Sequence, residues 1–339
     1  MNIPREHIQA FQNFGYTERE ARFLCIVAVH SGYFTQRQYT EFGPRKAGCI
    51  ASGFTNKLLA RGHASEHKYQ NNTRVLHFTF KPMYCAIGKE NIRNRRAHSF
   101  EFMKTRLAIL DFVLRHTQHD YLEGEAEKVQ YFEERFQIRP QDMPGRTYRG
   151  ANKVPDTIRY FVDKFPLFLD STLQNEPRVT LTFIDPGSRN LEAFKTHLDA
   201  YSSFLGRVGR FAFLFASPDA GPFTAAEKLF KEVADPQPGN LSQQVARYFK
   251  LRAAFEAKRF ELLKDPDIEF MNHAKQCFAG DIFERSFAEW KAGRLTQRDL
   301  IAVLENRPRH KQEIEFKTYL LPRDYSSFGQ NSHFTQKTA

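Results

Sequence analysis

The sequence predicts a multidomain protein of mixed α+β and α/β class: an N-terminal winged helix-turn-helix, a central α/β domain and a helical C-terminal region. Three observations carry that expectation. The stretch from Thr35 to Phe80 holds, in order, a short helix, a glycine stop, a basic helix and an alternating pair of strands. Residues 121 to 238 then alternate helix-like and strand-like patterns, and beyond Pro238 apolar residues recur at helical spacing. At 339 residues the chain has room for two or three domains.

Residues 1 to 33 read as two helices. The second opens at Thr17, with Glu20 at capping-box spacing, and carries Phe23, Leu24, Ile26 and Val27. Thr35 is a candidate N-cap for the next helix and Gly43 its stop. Pro44 suits the first position of a following helix, where its fixed φ helps and its missing N–H costs nothing. Along that helix Ile50, Phe54 and Leu58 recur at i, i+4 and i+8, a stripe expected to face the core. Arg45, Lys46, Ser52, Thr55, Asn56 and Lys57 fall largely off the stripe. The helix ends at Arg61-Gly62. Alternation from His67 to Gln70 and from Arg74 to Phe80, around Asn71-Asn72-Thr73, predicts a hairpin, because asparagine tolerates the positive φ of a tight turn. Residues 1–96 form the expected winged domain.

Charge points the same way. Between Pro44 and Arg96 there are eleven Lys or Arg against Glu66 and Glu90, a surplus of nine in a chain whose net charge is +11. Such a patch favours a polyanion, since Lys and Arg displace the counterions of phosphates. The expected partner is double-stranded DNA, with the second helix in the major groove and the hairpin on the backbone. The expected contacts are Arg45, Lys46, Ser52, Thr55, Asn56, Lys57, Arg61, His67, Lys68, Asn72 and Arg74, with Arg93, Arg95 and Arg96 from the basic connector. The alternative for such a domain is protein contact, which would make the chain an interaction adaptor.

His98 to His116 reads as a connecting helix within residues 97–120, free by pattern either to dock on the first domain or to serve a homodimer. In 121–238 the order is a helix from Glu123 to Phe136, a Pro/Gly/Arg loop from Pro140 to Pro155, strands Thr157–Leu169 and Arg178–Ile184, a helix Leu191–Leu205, a strand Arg210–Ala216 and a helix Thr224–Val233. A crossover between the last two strands is expected. Residues 121–339 carry a net charge of only +2, so this half is not built mainly for a polyanion. Residues 239–323 read as helical, and 324–339 as a loose tail.

This arrangement resembles the replication-relaxation family of mobile-element proteins, which are similar to relaxase-like proteins of the PD-(D/E)xK nuclease fold. Phe161-Val162-Asp163-Lys164 and Phe183-Ile184-Asp185-Pro186-Gly187-Ser188 carry the resemblance, with Lys195 and Tyr201 on the helix that follows. It implies a restriction-endonuclease-like α/β domain over residues 121–238. It also implies a site in which Asp163 and Asp185 hold Mg²⁺ or Mn²⁺ while Lys195 positions phosphate. The chain departs from the pattern where the family has a metal-binding Glu, for Phe183 cannot ligate a hard cation. A degenerate nuclease fold is therefore expected, with no cofactor. DNA nicking through Asp163 and Asp185, with Glu125 or Glu127 as a further candidate carboxylate, is the alternative. Asp185-Pro186-Gly187-Ser188 also has the composition of a plain turn.

Other patterns exclude more than they suggest. Cys25, Cys49, Cys85 and Cys277 are isolated, which argues against a zinc ribbon and a disulfide framework. His116, His119 and Asp120, and the pair His63 and His67, have ligand-like spacing but equally ordinary positions at helix and strand ends. There is no GxxxxGK[ST], GxGxxG, GxSxG or HExxH, so nucleotide hydrolysis and standard hydrolase chemistry have no support. No apolar run reaches the roughly 20 residues of a membrane span. A cytoplasmic, nucleoid-associated protein is the expectation.

Overall fold

A computed structural model describes the chain except residues 44–47, 70–73, 151–154, 163–164, 171–177, 189, 235–237, 279, 306–312 and 327–339. The fold is mixed α+β, and among the described residues the strands form three sheets.

Helices α1 (Arg5–Asn13) and α2 (Glu18–His30) open the chain. Thr17 caps α2 through a full capping box with Glu20, as its spacing predicts. Strand β1 (Tyr33–Thr35) leads into α3 (Gln36–Phe42), where Thr35 and Gln38 make a second capping box and Gly43 ends the helix. Helix α4 (Gly48–Ala60) is followed by β2 (Ala64–Lys68) and β3 (Arg74–Phe78), paired antiparallel. Pairing of β1 with the far edge of β3 gives the order β1-β3-β2. A short helix α5 (Lys81–Ala86) follows.

Helix α6 (Phe100–Arg115) is the connecting helix of the sequence, and it connects nothing loosely. Leu107, Ala108, Leu110 and Phe112 are completely buried, in one core with Phe23, Phe34 and Phe78 of the N-terminal part and with Ile184, Leu214 and Ala216 of the large sheet. It is the shared wall of both halves.

That sheet runs β10-β9-β8-β7-β4, built from β4 (Asp120–Tyr121), β7 (Leu167–Asp170), β8 (Arg178–Ile184), β9 (Arg210–Ser217) and β10 (Glu313–Leu320). Strands β8, β9 and β10 are parallel, with β7 and β4 antiparallel on the other side. The crossover from β8 to β9 carries α8 (Glu192–Leu205), as expected. Nearly every residue of β8 and β9 is buried, the pattern of parallel strands covered on both faces. Phe211, Phe213 and Phe215 face a second core with Phe194 of α8 and Phe230 of α9 (Phe223–Ala234), while Leu214 and Ala216 face α6. Helix α7 (Glu125–Phe136) adds Phe132 to that second core. Helices α10 (Pro238–Glu256), α11 (Asp265–Cys277), α12 (Asp281–Lys291) and α13 (Gln297–Glu305) pack around a third.

Four expectations need correction. The helical region assigned to 239–323 ends before β10, whose Glu-Ile-Glu-Phe-Lys-Thr-Tyr-Leu alternation suits a half-exposed edge strand. The single strand from 157 to 169 is two, for the chain breaks at Phe161, which takes φ 49°. Its first part, β6 (Thr157–Tyr160), leaves the main sheet to pair with β5 (Gly145–Tyr148), inside the stretch read as loop. Asp324, Tyr325 and Ser326 do not start a loose tail either. Tyr325 is buried, its hydroxyl donates to Asp111 Oδ2 at 2.8 Å, and its N–H donates to Pro186 at 2.9 Å.

Asp111, on α6 and 2% exposed, also accepts from Gln38 Nε2 of α3 at 2.8 Å and pairs with Arg323, which reaches on to Glu41. Removing one partner strands a buried charge. Arg323→Met is expected to cost about 3–5 kcal/mol in denaturant unfolding, and adding Asp111→Leu to recover part of the loss. A full Arg323→Met loss that persists in the double variant would show that packing, not charge, is what the arginine supplies.

Two buried histidines make stability depend on pH. His77 stacks on Tyr33 with centroids 4.1 Å apart, and burial pushes its pKa down to about 4. Burial pushes His30 down to about 3. Both stay neutral in the folded chain while the unfolded chain takes up protons near the ordinary value of about 6.5. Their contribution is therefore complete above that value and lost as pH falls toward the folded pKa values. Stability should drop below about pH 6.5, each histidine adding a slope of up to about 1.4 kcal/mol per pH unit, and His77→Phe should flatten it.

Candidate nucleic-acid interface

Helix α4 lies across α3, tied by a bond from Gln36 Nε2 to Ser52 Oγ at 2.6 Å. Its buried face is Ala51, Phe54, Thr55 and Leu58, spaced i, i+3, i+4 and i+7. The expected stripe was misplaced at its start, for Ile50 is 40% exposed. Thr55, expected to face a partner, is buried, its hydroxyl donating to the carbonyl of Ser52 at 3.1 Å.

Lys57 of α4 and Arg61 just after it are engaged within the chain, although Arg61 stays exposed. Lys57 Nζ lies 2.6 Å from Glu20 and 5.0 Å over the Tyr16 ring. Arg61 donates to the carbonyl of Phe14 and sits 5.4 Å over the same ring. They staple the C-terminal half of α4 to α1 and α2. What α4 presents to solvent is Cys49, Ile50, Gly53, Asn56 and Ala60, a face of uncharged groups on which Ile50 is a large apolar side chain. Of the residues expected to read bases only Asn56 stands on it.

Gly53 was missed. A mid-helix glycine costs about 1 kcal/mol against alanine, yet a Cβ added here would meet nothing within 4 Å. Packing inside the chain gives no reason for it. Its effect is to lower the surface beside Asn56.

On the hairpin, Glu66 pairs with Arg74 and lies 3.6 Å from Lys68. Lys68 keeps an exposed ammonium. His67 is half-buried, and burial lowers its pKa, so it is no added cation near neutral pH. Arg45, Lys46 and Asn72 lie outside the described residues. In the connector, Arg93 stacks 5.1 Å over the Tyr148 ring, Arg95 is half-buried and Arg96 is exposed.

The nuclease-like residues behave differently. Asp185 follows β8 and is 3% exposed. Its Oδ1 accepts from the Gly187 N–H at 3.2 Å, the Ser188 N–H at 2.8 Å and the Ser188 hydroxyl at 2.6 Å, and its Oδ2 from the Ser217 hydroxyl at 3.1 Å. The plain-turn alternative describes this site. Gly187 has φ 108°, and a Cβ there would strike Asp324, so the turn is shaped to seat the segment after β10. Lys195 is exposed on α8, and Asp163 lies outside the described residues. Phe183 packs between Phe165, Phe194 and Phe215. Glu125 is held by Arg159 Nε and the Tyr160 N–H, each at 2.7 Å, and Glu127 caps α7. Among the described residues no three His, Cys, Asp or Glu gather closely enough to hold a metal ion.

The histidine pairs resolve into packing. His116 stacks on Phe112 and His119 on Phe168. His63 stacks on Phe80, with Nδ1 2.6 Å from the Tyr16 hydroxyl. No described helix is long and apolar enough to cross a membrane. Comparison of the chain with protein families, curated proteins and solved structures returns no match.

Asp185→Ala removes the acceptor of a buried turn. It should lower unfolding free energy by about 1–3 kcal/mol, and by the same amount in EDTA as in Mg²⁺. A loss seen only with metal present would return Asp185 to a ligand role.

Proposed function

We propose that the N-terminal part is a winged helix-turn-helix that binds double-stranded DNA, with α4 in the major groove and the β2–β3 hairpin as the wing. The observation that carries this reading is the outward face of α4. It presents Asn56 beside Gly53, on a helix whose one lysine is paired with Glu20 and whose following arginine donates to the Phe14 carbonyl. Asparagine pairs its amide with the adenine edge, and the flat glycine surface admits the helix to the groove. Phosphate contacts then fall to the flanks: Arg45 and Lys46 before the helix, Lys68 and Asn72 at the hairpin, Arg96 in the connector.

In this proposal the α/β part is a degenerate restriction-endonuclease-like scaffold, as the resemblance to replication-relaxation proteins implies. The occupied carboxylate of Asp185 supports the loss of nuclease chemistry. The setting is control of replication, transfer or transcription of a mobile element in the cytoplasm, by a protein able to pair as a homodimer.

The test is a salt titration of binding to random duplex DNA, followed by selection of the preferred site, with Mg²⁺ present so that nicking would register. Affinity should fall linearly with salt on logarithmic axes. Arg45→Ala and Lys46→Ala should each reduce that slope by about 1, and Asn56→Ala should relax selectivity at about 1–3 kcal/mol. Gly53→Ala should raise stability by up to about 1 kcal/mol, whereas Gly53→Leu should abolish site-selective binding in a folded protein. Wild-type binding by Gly53→Leu would remove α4 from the interface.

A further inference from the structure

The five-stranded sheet ends differently on its two sides. One edge is β4, two residues long, and the other is β10, eight residues long. Strand β10 runs in unbroken register with β9 from Glu313↔Arg210 to Leu320↔Ser217, with no bulge and no proline or glycine. Among the described residues no strand pairs with its outer side. Edge strands are ordinarily blunted by shortness, proline, a bulge or a covering element, because an open row of N–H and C=O groups templates another strand. Strand β4 is blunted by its shortness, and β10 carries none of these devices.

The register decides which groups face outward. The Glu313 N–H donates to the carbonyl of Gly209 at 3.0 Å and the Leu321 N–H to that of Ser217 at 2.9 Å, so the odd-numbered residues bond to β9. In a parallel pair the alternate residues turn both backbone groups the other way. Ile314, Phe316, Thr318 and Leu320 therefore present theirs to the open side. Side chains along the strand stand in solvent: Glu313, Glu315 and Thr318 are exposed, and Leu320, a large apolar group, is 58% exposed.

The order of side chains then selects the partner. In an antiparallel pair of two β10 strands centred on Phe316, Phe316 meets its own copy, Ile314 meets Thr318, and Glu315 stands opposite Lys317 on both sides of the centre. Glu315 and Lys317 then occupy non-hydrogen-bonded positions, where facing side chains are closest. Centring the pair on Glu315 or Lys317 instead sets like charges face to face, and centring it on Ile314 sets Glu313 against Glu315. Within the chain Glu315 already pairs with Arg178 and lies 3.4 Å from Lys317, which is 3.9 Å from Asp170. No charge here is unmet. What their order provides is a register, with most of the strand paired, in which facing charges are opposite.

We propose that β10 is a homodimer interface: two copies of this chain pair antiparallel along their β10 edges about a two-fold axis at Phe316, and their five-stranded sheets become one. A self-complementary contact of this kind closes on itself and leaves no open edge at β10 to recruit further chains. It goes beyond the DNA-binding reading, which gives a homodimer no surface.

The full chain is followed by sedimentation velocity and light scattering across a dilution series. Wild type should show twice the chain mass of 39.6 kDa and dissociate on dilution. Thr318→Pro removes an outward N–H without touching the β9 ladder, and should raise the dissociation constant by about tenfold or more. Glu315→Lys alone and Lys317→Glu alone should each weaken self-pairing, because like charges then face each other, whereas an equimolar mixture of the two should pair as a heterodimer. Variants that had lost pairing through misfolding would not regain it on mixing. A dimer indifferent to Thr318→Pro, or a charge-reversal mixture no better paired than its components, would overturn the interface. A wild-type chain that binds DNA but is monomeric at every concentration would overturn it too and leave the winged-helix reading standing.

Discussion

The structure depends on one buried carboxylate. Asp111 sits in the middle of α6, 2% exposed, and its neighbours come from opposite ends of the sequence: Gln38 on α3, Arg323 and Tyr325 after β10. A lone carboxylate in that position would be prohibitive. Its tolerance therefore requires that the last strand return to the sheet and that α3 lie where Gln38 can reach. Burial and the Asp111 charge push the Tyr325 hydroxyl well above its ordinary pKa, which keeps it a donor. Burial alone would raise the Glu41 carboxyl, but hydrogen bonds from Arg323 and Arg37 outweigh it and hold the group ionised below its usual range. One cluster thus fixes α3, α6 and the C-terminal segment together.

Everything proposed for function inherits its geometry from that cluster. Helix α3 is held on one side by Asp111, through Gln38, and by Arg323, through Glu41, and through the Gln36–Ser52 bond it sets the position of α4. Helix α6 presents one flank to α2 and β1 and the other to β8. A shift of the α/β part would therefore be felt at α4 through rigid, packed elements rather than through a linker.

Much of this was legible in the sequence, because local signals set most elements. Thr17 and Thr35 cap helices where their spacing says, and the strands read at 178–184 and 210–216 are joined by the expected crossover, which leaves them parallel. The misreadings have physical causes. On α4 the stripe was begun at Ile50, the largest apolar residue in reach, whereas the core takes Ala51 and Thr55, since space under a crossing helix is small. Strand β10 alternates cleanly, yet it follows four helices and pairs with β9 about a hundred residues away, a contact no local window contains. Asp185 looked chemical because a carboxylate at a strand end serves catalysis and turn capping alike. Only the bonds to Ser188 and Ser217 separate the two.

The charge pattern shows the same limit of composition as a guide. Eleven basic residues between Pro44 and Arg96 suggest a basic recognition helix. In the fold Lys57 answers Glu20, Arg61 caps the carbonyl of Phe14, Arg74 answers Glu66, Lys89 answers Glu123 and Arg93 stacks on Tyr148. Five cations are thus drawn into structure, and a helix freed of long charged side chains can approach base edges more closely than one studded with them. Under the proposed function, a neutral helix face would separate the two tasks that duplex recognition requires, because phosphate contacts position a protein while base contacts specify its site. In the proposed DNA-binding reading, the internal contacts of Lys57 and Arg61 cost little affinity so long as the flanks reach the backbone, and Asn56 is the group on α4 that would tell one base pair from another.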